Sequence, residues 1–182
     1  MNVQLKDLIN QSTLTISDET IFSKNGNVAM TKGDHVWSTP YWNDEFKIEF
    51  DAIVTEIPPC CSRKSLFHLT TGEDSGEGGR VPAVFVRQNE NFHICYHVND
   101  DTNYCKNYKY ELNKDYHFEI SQQKNSEGEY WYSIKVNGET FDDVKNETPL
   151  KFEDVKLYLS DPWVESFAPF GKLSNFKIIR YK

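Results

Sequence analysis

The C-terminal segment 155–182, VKLYLSDPWVESFAPFGKLSNFKIIRYK, constrains the fold of this chain more than any other stretch. Apolar residues recur at every second position through Val155, Leu157 and Leu159, and again at Phe176 and Ile178. A period of two is typical of a β-strand with one buried face. The hairpin EYWYSIKVNGET precedes this segment. Together they predict the closing strands of a large antiparallel sandwich.

The rest of the chain also has short segments that are typical of β-strands. In FKIEFDAIV, at 46–54, apolar residues occupy the even positions and polar residues most of the odd ones. Further strands are predicted in SLFHLTT, VPAVFVRQ, FHICYHV, NYKYEL and DYHFEISQQ. Asn25-Gly26 predicts a hairpin turn between two short strands, because both central residues of such a turn need positive φ. The segment FDDVKNETPLKFE is interpreted as a connector. About a dozen strands favour an all-β, two-sheet antiparallel jelly roll over a seven-stranded immunoglobulin-type sandwich.

Length and charge bound the function. A chain of 182 residues suits one domain, and we expect a lead-in over 1–14 and a single sandwich over 15–182. The net charge of −8 disfavours nucleic acid, which needs a basic face. No apolar run approaches the ~20 residues of a membrane span, so no membrane insertion is expected.

The cellular compartment is read from conflicting features. The N-terminus lacks the apolar core of a signal peptide, which favours the cytosol. Four cysteines and two glycosylation sequons, at Asn10 and Asn146, favour the exterior. We predict a secreted protein in which Met1 is an expression start, with a cytosolic protein as the alternative.

The cysteines allow several arrangements. A hairpin turning near Asp100 would set Cys95 opposite Cys105, within disulfide reach, and leave Cys60 and Cys61 free. Alternatively, each of the adjacent pair bridges to one cysteine of the hairpin. Four reduced thiols are the third possibility.

Several segments together resemble a known superfamily. They are FKIEFDAIV, SLFHLT, VPAVFV with FHICYHV, DYHFEISQQ, the hairpin WYSIKVNGE, and LYLSDPW with FGKLSNFKI. This progression, which covers 15–181, resembles the concanavalin A-like lectins and glucanases, above all their laminin-G, pentraxin and thrombospondin N-terminal branch. The resemblance implies a jelly-roll fold and recognition of ligands outside the cell.

An enzymatic function is not expected. Glucanases of this fold present three carboxylates from one strand into a cleft, with the nucleophile and the acid about 5 Å apart. Here Glu49 and Asp51 share a strand face, but position 53 is Ile and Glu56 has the opposite parity. A divergent glycoside hydrolase is therefore only a distant alternative.

Calcium is the expected cofactor, if there is one. Acidic loops supply the oxygen ligands that calcium prefers, and two such loops contain Asp74 and the pair Asp100 and Asp101. The family resemblance implies that Asp161 joins Asp100 and Asp101 at one rim. The alternative is that these residues only form turns by bonding their own backbone.

A sugar site needs an aromatic platform and polar side chains. Trp163, which follows Asp161-Pro162, is the best platform, with Tyr96 and Tyr104 next, although large rings are also typical of sandwich interiors. The predicted polar contacts are Asp161, Asn99 and Asp100. We predict a recognition module for a glycan or an extracellular protein; the alternative is an adhesion or matrix protein that associates with itself as a homo-oligomer.

Overall fold

The computed structural model describes residues 18–59 and 63–181. The predictions for Asn10, Cys60, Cys61 and the lead-in 1–14 lie outside these residues. The strands are β1 (Glu19–Val28), β2 (His35–Trp42), β3 (Phe46–Val54), β4 (Arg63–Thr70), β5 (Ala83–Arg87), β6 (Asn91–Val98), β7 (Asp101–Lys109), β8 (Asp115–Lys124), β9 (Tyr130–Val136), β10 (Glu139–Lys145), β11 (Phe152–Tyr158), β12 (Glu165–Ser166) and β13 (Gly171–Arg180). A single 3₁₀ turn, Ala168–Phe170, is the only helical element within the described ranges.

The strands form two sheets that pack face to face. The first sheet has the order β1-β13-β3-β8-β9-β10, and the second has the order β2-β11-β4-β5-β6-β7. All of these pairs are antiparallel, and the two-residue β12 adds a short parallel pairing to β4. The predicted fold class, an all-β two-sheet antiparallel sandwich, is confirmed. No helix in the described residues is long and apolar enough to cross a membrane.

Alternation within each strand builds the core between the sheets. The burial of β3 alternates at every residue, with its apolar even positions inward. Phe50 of β3 is fully buried, and its ring lies 5.1 Å from that of Phe67 in the opposite sheet. Burying one such side chain contributes roughly 1.5–3 kcal/mol. The closing segment behaves as predicted, since Val155, Leu157 and Leu159 are fully buried.

The predicted hairpin at Asn25-Gly26 is wrong. Both residues lie within the continuous strand β1, which pairs with β13 on either side of an irregularity between Lys24 and Asn27. The Gly26 N–H donates to Oδ1 of Asn175, so a side chain of β13 takes the place of a ladder partner there. Positive φ at Gly26 therefore forms a bulge rather than a turn.

The predicted connector 141–153 is also wrong in part. Its first half belongs to β10, which pairs with β9 through the turn at Asn137-Gly138. The strand was missed because it lies at a sheet edge and contains acidic residues in place of apolar alternation. It faces the other edge strand on this side: the Tyr104 hydroxyl of β7 donates to Asp142 of β10.

Candidate functional site

The middle of the second sheet is buried on both faces. In β5, Val84 and Val86 belong to the core between the sheets. Phe85 lies between them in sequence and points to the outer face, yet it too is fully buried. Two chain segments cover this outer face: the loop 71–82 after β4, and the segment 159–167 that connects β11 to the 3₁₀ turn.

The loop 71–82 is fixed by its own backbone and by Arg80. The N–H of Thr71 donates to the carbonyl of Gly78 at 2.9 Å. A Cβ on Gly79 would lie 2.5 Å from the backbone carbon of Ser75, so the tight approach requires glycine there. Arg80 is 7 % exposed; its Nε donates to the carbonyl of Asp74, and its Nη1 lies 3.4 Å from Sγ of Cys95.

Asp161 fixes the second covering segment. Its carboxylate is buried: Oδ1 accepts the N–H groups of Trp163 and Val164 at 3.0 and 2.8 Å, and Oδ2 lies 2.9 Å from Nδ1 of His68. The Asp161 N–H donates to Oγ of Ser65 in β4. Burial by itself would raise the pKa of this carboxyl, but the hydrogen bonds from His68 and Val164 outweigh it and the pKa is lowered. Asp161 is therefore an ionised anchor for the segment.

Trp163 stands beside an open cleft as a result. Its indole packs edge-on against the rings of His68, at 5.3 Å, and Tyr158, at 6.3 Å. The side chain is still 39 % exposed. The cleft that it borders has a volume of about 740 Å³, which is within the range of small-ligand sites. The residues that line it are Lys32, Arg63, Arg87, Gln88, Asn89, Trp163, Val164 and Glu165.

Two arginines from neighbouring strands form part of the cleft wall. Arg63 of β4 and Arg87 of β5 are direct partners in the antiparallel register. The Arg63 guanidinium lies 4.7 Å above the Phe85 ring and donates to both carboxylate oxygens of Asp74, at 2.7 and 2.6 Å. The Arg87 guanidinium instead approaches Nε2 of His93 at 2.9 Å.

The structure places the predicted residues Trp163 and Asp161 in one site, with different roles. Trp163 lines the cleft. Asp161 is fully buried, so it holds Trp163 in position and does not present its carboxylate to a ligand.

Asn99, Asp100 and Asp101 lie at the far end of the sandwich. Asn99 and Asp100 form the turn between β6 and β7, Asp101 begins β7, and the Asn99 side chain hydrogen-bonds to the backbone of residues 145 and 147. The prediction that Asp161 lies near these three residues depends on β11 running parallel to β4. β11 runs antiparallel to β4, so the predicted shared rim is corrected.

The two predicted tyrosine platforms are engaged elsewhere. Tyr96 is 1 % exposed and stacks on Tyr132 with ring centroids 5.0 Å apart, so the prediction that it contacts a ligand is corrected. Its even position in β6 directs it into the core. Tyr104 is partly buried, and its hydroxyl donates to Asp142 at 2.9 Å, away from the cleft.

The predicted calcium ligands do not come together as a set of four. Asp74 and Asp161 do lie near each other, with His68. However, Arg63 binds both oxygens of Asp74, and three hydrogen bonds occupy Asp161. A cation there would compete with a guanidinium already in place. The calcium prediction gains no support from this cluster and stays a prediction.

The structure confirms one of the cysteine predictions. Cys95 and Cys105 form a disulfide across the β6–β7 hairpin, as the first of the predicted arrangements has it. His93 lies near both sulfurs, but these are bonded to each other and are not free to bind a metal.

Asn146 is 2 % exposed and its Nδ2 donates to Gln122 at 2.7 Å, so the predicted glycosylation there is corrected.

Sequence reasoning missed the basic wall of the cleft. The parity of VPAVFVRQ does place Phe85 and Arg87 on one face, opposite Val84 and Val86, and this was the available signal. The signal is weak because β5 is buried on both faces. In the sequence, the outward-facing Phe85 cannot be told from a residue of the core. The register that brings Arg63 beside Arg87 depends on pairing that no local pattern encodes.

The comparisons with known proteins give a fold but no family. No protein-family model matches the chain, and no curated protein sequence matches it. Among solved structures, the receptor-binding domain of botulinum neurotoxin D aligns with 93 % of this chain and 46 % of its own, at 11 % identity and a TM-score of 0.58. A ligand-binding domain of the serotype D toxin, described in complex with N-acetylneuraminic acid, aligns with 78 % of this chain and 34 % of its own, at 12 % identity and a TM-score of 0.56.

A Trypanosoma rangeli sialidase also shares the fold. It aligns with 76 % of this chain and 21 % of its own, at 13 % identity and a TM-score of 0.51. The chain thus spans less than half of each of these proteins. At such identities the likeness defines a class, the two-sheet β-sandwich found in receptor-binding domains, and goes no further.

Proposed function

We propose that this chain is an extracellular, non-enzymatic recognition module of concanavalin A-like fold that binds carbohydrate in the cleft beside Trp163. The observation behind this proposal is the indole itself. It is exposed by more than a third, yet its backbone is held by a buried carboxylate and its ring by His68 and Tyr158. A rigid ring in a cleft loses little conformational freedom when a sugar packs on it.

The other residues of the cleft suit a ligand rich in hydroxyl groups. Gln88 and Asn89 follow β5 and add amide donors and acceptors, and Arg63 and Arg87 add guanidinium donors. A sugar presents an apolar ring face and polar edges. A ring platform flanked by such groups matches both features at once.

Two further observations support the setting. The Cys95–Cys105 disulfide is typical of proteins in oxidising compartments, which favours secretion. The neurotoxin D domain with the same fold is described with a bound sugar acid. Because the chain matches only a third of that protein, this likeness supports the choice of ligand class without locating a site.

The carboxylates argue for binding without catalysis. A glycosidase needs a general acid whose pKa is raised. Glu165 is the one carboxylate among the described residues that line the cleft, and its hydrogen bond from Lys64 lowers its pKa. On the first sheet, burial would raise the pKa of Glu49, but the hydrogen bond and charge of Lys47 lower it overall.

A glycan array with the wild-type chain and Trp163→Ala tests the proposal. We expect wild-type binding to a related group of glycans and its loss in Trp163→Ala. Tyr41→Ala is the matched control, because Tyr41 is an aromatic residue 65 % exposed on β2, outside the cleft. Thermal melts of both variants would show that they fold. An array without hits, together with a dimer in sedimentation, would favour the self-associating protein, and turnover of a glycan would refute the absence of catalysis.

A further inference from the structure

The cleft holds more positive charge than its acids neutralise. Arg63 and Arg87 lie directly opposite each other on adjacent strands, a placement that destabilises a sheet when both residues carry the same charge. Asp74 offsets the charge of Arg63 through two short hydrogen bonds. Glu165 forms an ion pair with Lys64, and the charge of Lys32 acts on the same carboxylate from a greater distance. In the described part of the chain, no carboxylate lies within 4.0 Å of the side-chain nitrogens of Arg87 or Lys32, and both line the cleft.

The partner of Arg87 is a neutral base. The Nδ1 atom of His93 lies 2.8 Å from Oδ1 of Asn107, an oxygen that can only accept, so Nδ1 bears the hydrogen. Nε2 is then free to accept from Nη2 of Arg87 at 2.9 Å. This hydrogen bond orients the guanidinium without cancelling its charge. It uses one of five N–H donors.

The excess of positive charge in the cleft contrasts with the acidic composition of the whole chain. With a net charge of −8, the chain has more acidic than basic residues, so an arginine at its surface would be expected to have a carboxylate nearby. Here the nearby polar side chains beyond Arg87 are amides, Gln88 and Asn89. Arg80 is buried nearby, and burial and the charges of Arg63 and Arg87 lower its pKa although Asp74 and Asp161 act in the opposite direction. Burial lowers the pKa of Arg87, and so does the charge of Arg63, so the two guanidinium groups repel each other.

An anion would relieve this repulsion and use the remaining donors. Guanidinium groups bind planar carboxylates through two parallel hydrogen bonds, and such charge-assisted bonds are about twice as strong as neutral ones. Lys32, which also lines the cleft, would add a point charge. Trp163 borders the same space, so an acidic group and a sugar ring can be held together.

We propose that the saccharide bound in this cleft is acidic, with its anionic group on Arg87 and Lys32 and its ring against Trp163. This inference rests on the proposed carbohydrate-binding function and specifies its ligand class. A carboxylate and a sulfate ester share the required chemistry. The fork of Arg87 favours the carboxylate.

Calorimetric titration with four matched probes tests the inference. The probes are a uronic-acid oligosaccharide, its neutral methyl ester, the corresponding neutral oligosaccharide, and a sulfated form of that neutral oligosaccharide. We expect the uronic acid to bind at least about tenfold more tightly than the ester and the neutral form, the gain typical of one hydrogen bond to a charged group. A sulfated form that binds more tightly than the uronic acid would overturn the choice of carboxylate.

Variants locate the effect. Arg87→Gln should abolish the advantage of the acidic probe, while Arg87→Lys should retain only part of it, because lysine lacks the fork. Arg180→Gln in β13 removes the same charge on the other sheet and should change nothing. Equal losses in Arg87→Gln and Arg180→Gln would mean unspecific attraction and would overturn the inference.

The two proposals fail differently. Neutral and acidic probes that bind equally, both sensitive to Trp163→Ala, would refute the acidic ligand and leave carbohydrate binding intact. If none of the four probes binds and the glycan array is also empty, carbohydrate binding itself is refuted.

Discussion

Nε2 of His93 accepts a hydrogen bond from Nη2 of Arg87 at 2.9 Å, so a buried imidazole must stay neutral for the arginine to keep its place. Burial, aided by the charges of Arg87 and Arg80, lowers the pKa of His93 to about 4, although the hydrogen bond to Asn107 acts in the opposite direction. A proton on Nε2 would point at a cation.

Stability should therefore fall in mild acid. An unfolded histidine has a pKa of about 6.5, so between pH 6.5 and pH 4 the unfolded chain binds a proton that the folded chain does not. The free energy of unfolding should decrease as the pH falls through this window, by up to roughly 3 kcal/mol. Urea titrations at several pH values measure it. His93→Gln should flatten this part of the profile, and His35→Gln, at an exposed site, should not. Identical profiles for His93→Gln and the wild type would contradict the neutral imidazole.

Asp161→Ala should destabilise the fold and also impair the cleft. The substitution leaves His68 without its buried carboxylate and frees two backbone N–H groups. Breaking such a pair costs about 3–5 kcal/mol. Chemical denaturation measures the loss. Asp115→Ala, at an exposed aspartate that begins β8, serves as the control and should cost little. A stable Asp161→Ala variant with full glycan binding would show that Trp163 does not depend on this anchor.

The Asp161 carboxylate also predicts a second, more acidic transition. Because its folded pKa is lowered from 3.8, its contribution is complete above that value and is lost as the pH falls below it. Acid unfolding followed by circular dichroism below pH 4 should start from a lower plateau in Asp161→Asn. Coincident acid branches for the variant and the wild type would exclude this role.

Removing the Cys95–Cys105 bridge should loosen the sheet that supports the cleft. A disulfide that closes a short loop contributes about 2–4 kcal/mol, and Arg80 packs against both sulfurs. The Cys95→Ala/Cys105→Ala variant should unfold at lower denaturant, and reductant should have no further effect through this pair. Alkylation of the unreduced wild type should spare both cysteines. Labelling of either one would contradict the bridge.

Chelation should leave glycan binding intact. The oxygens of Asp74 and Asp161 already accept hydrogen bonds from Arg63, His68 and the backbone, and Asp100 lies at the other end of the sandwich. The array repeated with chelator and with added calcium checks this expectation. Binding lost on chelation and restored by calcium would confirm the calcium prediction.

The sequence allowed the sandwich to be predicted because alternation directly records which face is buried. Phe46 to Val54 and Val155 to Leu159 follow that rule in the structure. Asn25-Gly26 misled because positive φ serves a bulge as well as a turn, and the choice depends on the partner strand β13. β10 was missed because an edge strand need not be apolar.

The candidate site was predictable only where a single side chain was conspicuous. Trp163 follows a proline in a strand connection, which led to the prediction that it is a ligand platform, and the structure places it at the cleft. The residues that hold its segment in place are distant in sequence: Ser65 and His68 are more than ninety residues away along the chain. The pairing of Arg63 with Arg87 likewise arises from register, which local patterns do not specify.

The division of the cleft between strands and connections has a practical consequence. Arg63 and Arg87 belong to β4 and β5 and are fixed by the ladder, whereas Trp163, Gln88 and Asn89 lie on connecting segments. Strand positions hold side chains more accurately than loops do, and loops tolerate replacement better. For the proposed acidic saccharide, new sequences grafted at 88–90 should therefore change which sugar is accepted, while Arg87, fixed in its strand, remains the contact for the anionic group.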